Sequence, residues 1–148
     1  MPIQQISEVS EIAHVIQLAV APVFLLTGIG AILAVMTNRL GRVIDRARLL
    51  EGRLDNADEK RTRSMRRELY TLARRARLVS HAITLCTTTA LLICTVIAVL
   101  FSSAFLPFDV TLPVAFLFIA AMLSFFLGLL NFLREIFLAT ASMKIGPD

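Results

Sequence analysis

The chain has 148 residues, is 57% hydrophobic with a mean hydropathy of +0.76, and carries a formal net charge of +4 at pH 7. Soluble domains sit near about 45–50% apolar. The excess here is gathered into three stretches without a formal charge, which excludes a water-soluble bundle, because each of its helices would need polar residues every turn or two.

In chain order, residues 1–11 hold two acids, Glu8 and Glu11, and no Lys or Arg. A cleavable signal peptide begins with positive charge and a short apolar core, so the first apolar stretch is expected to stay in the protein. The charge-free windows follow: 27 residues between Glu11 and Arg39, 31 between Arg77 and Asp109, and 24 between Asp109 and Arg134. A helix rising about 1.5 Å per residue needs roughly 20 apolar residues to cross a ~30 Å hydrocarbon core. The expected fold is therefore all-α, one membrane domain over residues 1–148, with spans at about 12–38, 78–106 and 112–133.

The first span contains Pro22, which removes one backbone hydrogen bond and predicts a kink. Gly30 and Ala34 give it a small-xxx-small pair of the kind that lets helices approach closely in lipid. Residues 39–77 are charged but periodic. Leu40, Ile44, Ala47, Leu50 and Leu54 recur at three or four, and Met65, Leu69, Leu72, Ala76 and Val79 at 4-3-4-3, a coiled-coil spacing. Between them, Leu54-Asp-Asn-Ala-Asp58 has turn and cap chemistry, and Glu59 falls in the first turn of the next helix, where its charge suits the dipole. The prediction is an antiparallel helical hairpin continuous with spans one and two, turning near Asn56, with Ile44 against Leu69 and Ala47 near Met65. Pro107 and Pro113 bracket the turn between spans two and three.

Charge orients the chain. Of the 15 Lys and Arg, 13 lie between Arg39 and Arg77, and the others are Arg134 and Lys144. Loops on the cytoplasmic side collect Lys and Arg, which puts the hairpin and the C-terminus inside and the N-terminus outside. The high pI then reflects topology, and nucleic acid is not an expected partner. The stretch Ala21-Pro-Val-Phe-Leu-Leu-Thr-Gly-Ile-Gly-Ala-Ile-Leu-Ala-Val-Met-Thr-Asn-Arg-Leu-Gly-Arg-Val-Ile-Asp-Arg-Ala-Arg, with the charged hairpin and two further spans, resembles a bacterial membrane family known as domain of unknown function 2721. The run from Thr37 to Arg46 is its most specific part. The resemblance implies a small bacterial membrane protein with no assigned activity and supplies no catalytic residues; with the three spans and the charge distribution, the expected place is the bacterial inner membrane, crossed several times.

Chemistry is sparse. His14 and His81 fall at opposite ends of different spans, and Cys86 and Cys94 lie eight residues apart on one helix, about 12 Å, too far to pair. Neither set has metal-ligand spacing. No ionisable side chain falls at the centre of a span, where coupled transporters usually keep one. Phosphate-loop and hydrolase motifs are absent. The expectation is a protein that is not an enzyme, with no cofactor and no metal. What remains is polar patterning. His81, Thr88, Thr95 and Ser102 follow at seven-residue steps with Thr84 beside them. Ala121, Ser124, Gly128, Asn131 and Glu135 form a second stripe, and Thr27, Ala31, Ala34 and Asn38 a third. Such stripes serve helix packing or, for His81, Thr84, Thr88, Thr95 and Ser102, a narrow pore shared by several copies. Arg39, Arg42, Arg46, Arg74, Arg75 and Arg77 lie beside the spans, where anionic phospholipid headgroups attract such residues. Asp45 and Glu68, surrounded by arginine, are expected to be ion-paired. Two readings follow: a homo-oligomeric membrane assembly that conducts, or a non-conducting scaffold whose hairpin docks a partner.

The topology is directly testable. A cysteine replacing Asn56 is expected to resist membrane-impermeant thiol reagents in intact cells; rapid labelling from outside would reverse the orientation.

Overall fold

In hydrocarbon a backbone has no water to bond, so a spanning segment must satisfy its own N–H and C=O groups, as a helix does. The computed structural model describes residues 2–54, 58–103 and 109–141, and among them the secondary structure is entirely helical: α1 (Pro2–Leu54), α2 (Glu59–Ser103) and α3 (Thr111–Ala141). Each is long and apolar enough to cross a membrane, with windows of mean hydropathy 2.4, 2.3 and 2.4. At about 1.5 Å per residue, the 45-residue α2 is roughly twice as long as a ~30 Å hydrocarbon core is thick. It therefore runs from an apolar half into a charged half, as α1 does. α1 starts ten residues before the predicted span and passes through Pro22 without a break in the helix. Residues 55–57 and 104–108, which hold the predicted turn at Asn56, the end of the second predicted span and Pro107, lie outside the described residues.

The helix starts have local causes. The Asp58 carbonyl accepts the first intrahelical bond of α2 from Thr62 N–H at 2.9 Å, and its side chain accepts from Glu59 N–H at 2.9 Å. Glu59 in that first turn pairs with Arg63 one turn on, at 2.8 Å. Asp109 does the same for α3, accepting from Thr111 N–H at 3.0 Å. That backbone bond, assisted by the Thr111 side chain, holds the Asp109 carboxyl below its ordinary value. Pro113 sits in the first turn, where a missing N–H goes unnoticed.

The chain forms two compact units, one of residues 1–32 and 86–125, the other of residues 33–85 and 126–148. In the first, Ala19, Pro22 and Ile29 of α1 are buried, as are Cys86, Thr89, Ile93 and Val96 of α2 and Ala121 of α3. In the second, Met36, Val43, Leu50, Leu72, Val79, Ala82 and Glu135 are buried, and Val43, Leu50 and Leu72 form a cluster covered by Ala47, Met65, Leu69 and Ala76. The α2 spacing read from Met65 to Val79 continues: Ala82, Cys86, Thr89, Ile93 and Val96 keep alternating steps of three and four, and all are buried.

On α1 the predicted register needs one correction. Val43 is buried at 6% exposure and holds the contact line, whereas Ile44 is 39% exposed and borders a groove together with Leu69, the residue it is expected to face. The physical reason is periodicity. Met36, Leu40, Val43, Ala47, Leu50 and Leu54 keep strict 4-3-4-3-4 steps, whereas the set through Ile44 contains two successive steps of three, which rotates its residues off the contact line. Leu49 is likewise 60% exposed while Leu50 is buried.

This register predicts a contrast. Leu72→Ala removes a side chain from the middle of the cluster and is expected to cost about 2–5 kcal/mol. Ile44→Ala, at the exposed rim, should stay within about 0.5 kcal/mol. Thermal unfolding of the two purified variants beside the parent checks both.

Candidate functional site

α3 carries two adjacent charges, Arg134 and Glu135, and helical geometry sends them to different sides. Arg134 is exposed; Glu135 is fully buried. Its position follows from its own stripe. Ala121, Ser124, Gly128, Asn131 and Glu135 step by three or four, and each is buried or half-buried, so the predicted small and polar stripe of span three is the inward face of α3.

A buried carboxylate is costly unless it is paired and hydrogen-bonded. Glu135 has both. Arg39 of α1 donates from Nη1 to Oε2 at 2.8 Å, and Arg75 of α2 donates from Nε and Nη2 to Oε1 at 3.1 and 2.9 Å. Both carboxylate oxygens are engaged, one by a single contact and one by a guanidinium fork. The Arg39 guanidinium also lies over the Phe132 ring, 5.5 Å from its centroid, a favourable cation–π geometry. One carboxylate thus joins all three helices of the second unit. Arg39 and Arg75 side chains keep 32% and 22% exposure, so each guanidinium retains an edge facing outward.

Farther along the same arms, Arg46 donates from Nε and Nη2 to one oxygen of Glu68, at 3.1 and 2.9 Å. This is the expected pairing of Glu68 with arginine. At 55% and 43% exposure it is the weaker contact. Arg39, Arg42, Arg46 and Arg75 line one groove of about 370 Å³, floored by Val43 and Leu72. Arg74 and Arg77, grouped with them in the sequence, are exposed and lie outside it.

The residues of the α2 stripe, His81, Thr84, Thr88, Thr95 and Ser102, are all exposed, opposite the buried line of the same helix. Thr84, Thr95 and Ser102 donate to the carbonyls of Ser80, Leu91 and Ala98 one turn back, at 2.8–3.0 Å, and His81 Nδ1 donates to the Arg77 carbonyl at 2.7 Å. The stripe of α1, Thr27, Ala31, Ala34 and Asn38, is exposed too, and a Cβ added at Gly28 or Gly30 would meet nothing within 4 Å. Among the described residues, Gly30 of the small-xxx-small pair therefore has no close neighbour on another helix. Thr89, outside the predicted stripe, is the fully buried hydroxyl residue of α2.

His14 is exposed and borders an apolar groove of about 890 Å³ in the first unit, with Pro22, Leu100, Val114 and Phe118 on its walls. Cys86 is buried and Cys94 exposed, both free. Among the described residues no group of His, Cys, Asp or Glu is placed to hold a metal ion.

Sequence reasoning missed the Glu135 clamp. A signal was present: Glu135 ends a stripe of otherwise small, inward-compatible residues, while Arg134 falls off it. An acid at the end of an inward face needs a cation, and arginines were available on both other helices.

A family model described as Protein of unknown function (DUF2721) matches residues 19–145. No curated protein and no solved structure matches the chain.

The clamp makes an unequal prediction for two acids. Glu135→Gln leaves two arginines facing each other without their anion, and is expected to cost about 3 kcal/mol, the lower end for a broken buried pair because both arginines keep an outward edge. Glu68→Gln should cost about 0–1 kcal/mol. Melting temperatures of the purified variants in detergent measure the difference.

Proposed function

The chain belongs to the DUF2721 family, and we propose that it forms a homo-oligomeric assembly in the bacterial cytoplasmic membrane, with the charged arms of α1 and α2 in the cytoplasm and no catalytic activity. One observation carries the reading: α2 has two ordered faces, and among the described residues only one of them is covered. The buried line from Leu72 to Val96 packs internally, while His81, Thr84, Thr88, Thr95 and Ser102 face outward along an apolar helix. Hydroxyls bonded to their own helix carbonyls are tolerated in lipid. Stripes of small and hydroxyl residues are also what membrane helices use to meet each other. The open glycines of α1 supply a second such surface. In the conducting form of the assembly, the α2 stripe of several copies surrounds a central axis and supplies hydroxyl and imidazole groups to a passing polar solute.

A second reading rests on a different observation. Ile44 and Leu49 of α1 and Tyr70 of α2, at 39%, 60% and 76% exposure, lie among charged residues outside the charge-free windows. In water such exposed apolar side chains suit a docking protein, and the chain would then be a non-conducting scaffold.

The readings separate in one set of measurements. The assembly reading expects at least three copies per particle in mild detergent and in nanodiscs, and disulfide cross-links between copies bearing cysteine at Thr95. Its conducting form expects Thr88→Leu to lower ion flux into liposomes with particle mass unchanged. A monodisperse monomer in both environments overturns the assembly. An oligomer with no flux retires conduction and leaves the scaffold.

A further inference from the structure

The arginine groove of the second unit carries charge that its carboxylates do not balance. Arg39, Arg42 and Arg46 follow at steps of three and four, which places them on one face of α1, and Arg75 of α2 closes the groove from the other side. Two carboxylates bond this set: Glu135, shared by Arg39 and Arg75, and Glu68, held by Arg46. Four cations against two anions leave two positive charges, and no ion pair among the described residues involves Arg42. Like charges gathered in about 370 Å³ repel one another unless an anion joins them.

The groove is also organised before any ligand arrives. Glu135 is fully buried and fixes the Arg39 and Arg75 guanidiniums from behind, and Glu68 fixes Arg46. Side chains already held in place lose less freedom on binding. A guanidinium presents a rigid fork of donors that matches phosphate oxygens, and only part of each fork is engaged by the two glutamates. The position selects the ligand further. Arg39 directly follows the 27-residue charge-free window of α1, and Arg75 lies three residues before the 31-residue window of α2. The groove therefore sits at the edge of the apolar segments, the depth at which lipid phosphates lie.

We propose that this groove is a binding site for phosphate groups, occupied by the headgroup of an anionic phospholipid, and that its two unbalanced charges favour a lipid with two phosphodiesters over a lipid with one. The site is independent of whether the chain assembles or conducts.

The test uses the full chain in phosphatidylcholine nanodiscs containing a small fraction of cardiolipin or phosphatidylglycerol, with retained lipid counted by native mass spectrometry. Cardiolipin is expected to be retained over phosphatidylcholine by tenfold or more, and over phosphatidylglycerol by a smaller factor. Arg42→Gln, at an exposed position without an ion pair, should lower cardiolipin retention about fivefold with the melting temperature in phosphatidylcholine unchanged. Arg74→Gln, exposed and outside the groove, should leave retention unchanged. Equal losses in the two variants would mean general attraction of lipid to a basic surface and would overturn the site. Absence of any preference for anionic lipid would overturn it as well. Inorganic phosphate supplies the last arm. If inorganic phosphate binds the parent but not Arg42→Gln while cardiolipin retention is the same in both, the phosphate site stands and its assignment to lipid falls. If phosphate displaces nothing, the headgroup assignment stands.

Discussion

A carboxylate removed from water needs positive charge and hydrogen-bond donors close at hand, and the packing of the second unit is arranged around that need. Glu135 is the buried acid; Arg39 and Arg75 reach it from the other two helices. Apolar packing alone is non-directional, and among helices rich in Leu, Ile and Phe many rotations about the helix axis bury similar area. A fork of donors aimed at one carboxylate oxygen is directional. It sets Arg39 of α1 and Arg75 of α2 at the level of one residue on the inward face of α3. The clamp thereby does for register what the apolar contacts of Val43, Leu50 and Leu72 cannot do alone.

The clamp also ties stability to recognition. The contacts that neutralise Glu135 aim two guanidiniums and leave their outer edges free, so the residues that hold the helices together form the back wall of the arginine groove. A change that loosened α3 would disorder the groove even though α3 supplies no arginine to it. The proposed lipid site and the helix packing are in this sense one arrangement of charges, with Arg42 as the member that serves only the groove.

The α2 helix separates two kinds of seven-residue pattern that look alike on paper. One, from Leu72 through Val79, Cys86 and Ile93, is buried; the other, from His81 through Thr88, Thr95 and Ser102, is exposed. They are offset by two residues, roughly 200° around a helix of about 3.6 residues per turn. One line committed to internal packing and a second, polar line turned outward are the pairing on which the proposed function rests.

Helix type, number and approximate extent were legible in the linear chain, because they depend on quantities local to it: the length of the charge-free windows, the acids at Asp58 and Asp109, and the steps of three and four along α2. The small and polar stripe of α3 was legible for the same reason, as was the pairing of Glu68 with arginine, although not the side to which the stripe turns. Three things were decided only by the tertiary structure. The α1 register passes through Val43 rather than Ile44; the steps of three and four are compatible with Val43, but only the partner helix fixes which line is the line of contact. Arg39 and Arg75 converge on Glu135 across 96 and 60 residues of sequence, a contact that no local pattern encodes. The outward direction of the His81–Ser102 line also had to wait, since a stripe on an isolated helix has no inside or outside. Each of these is a relation between faces, and a face acquires its meaning only when another surface is set against it.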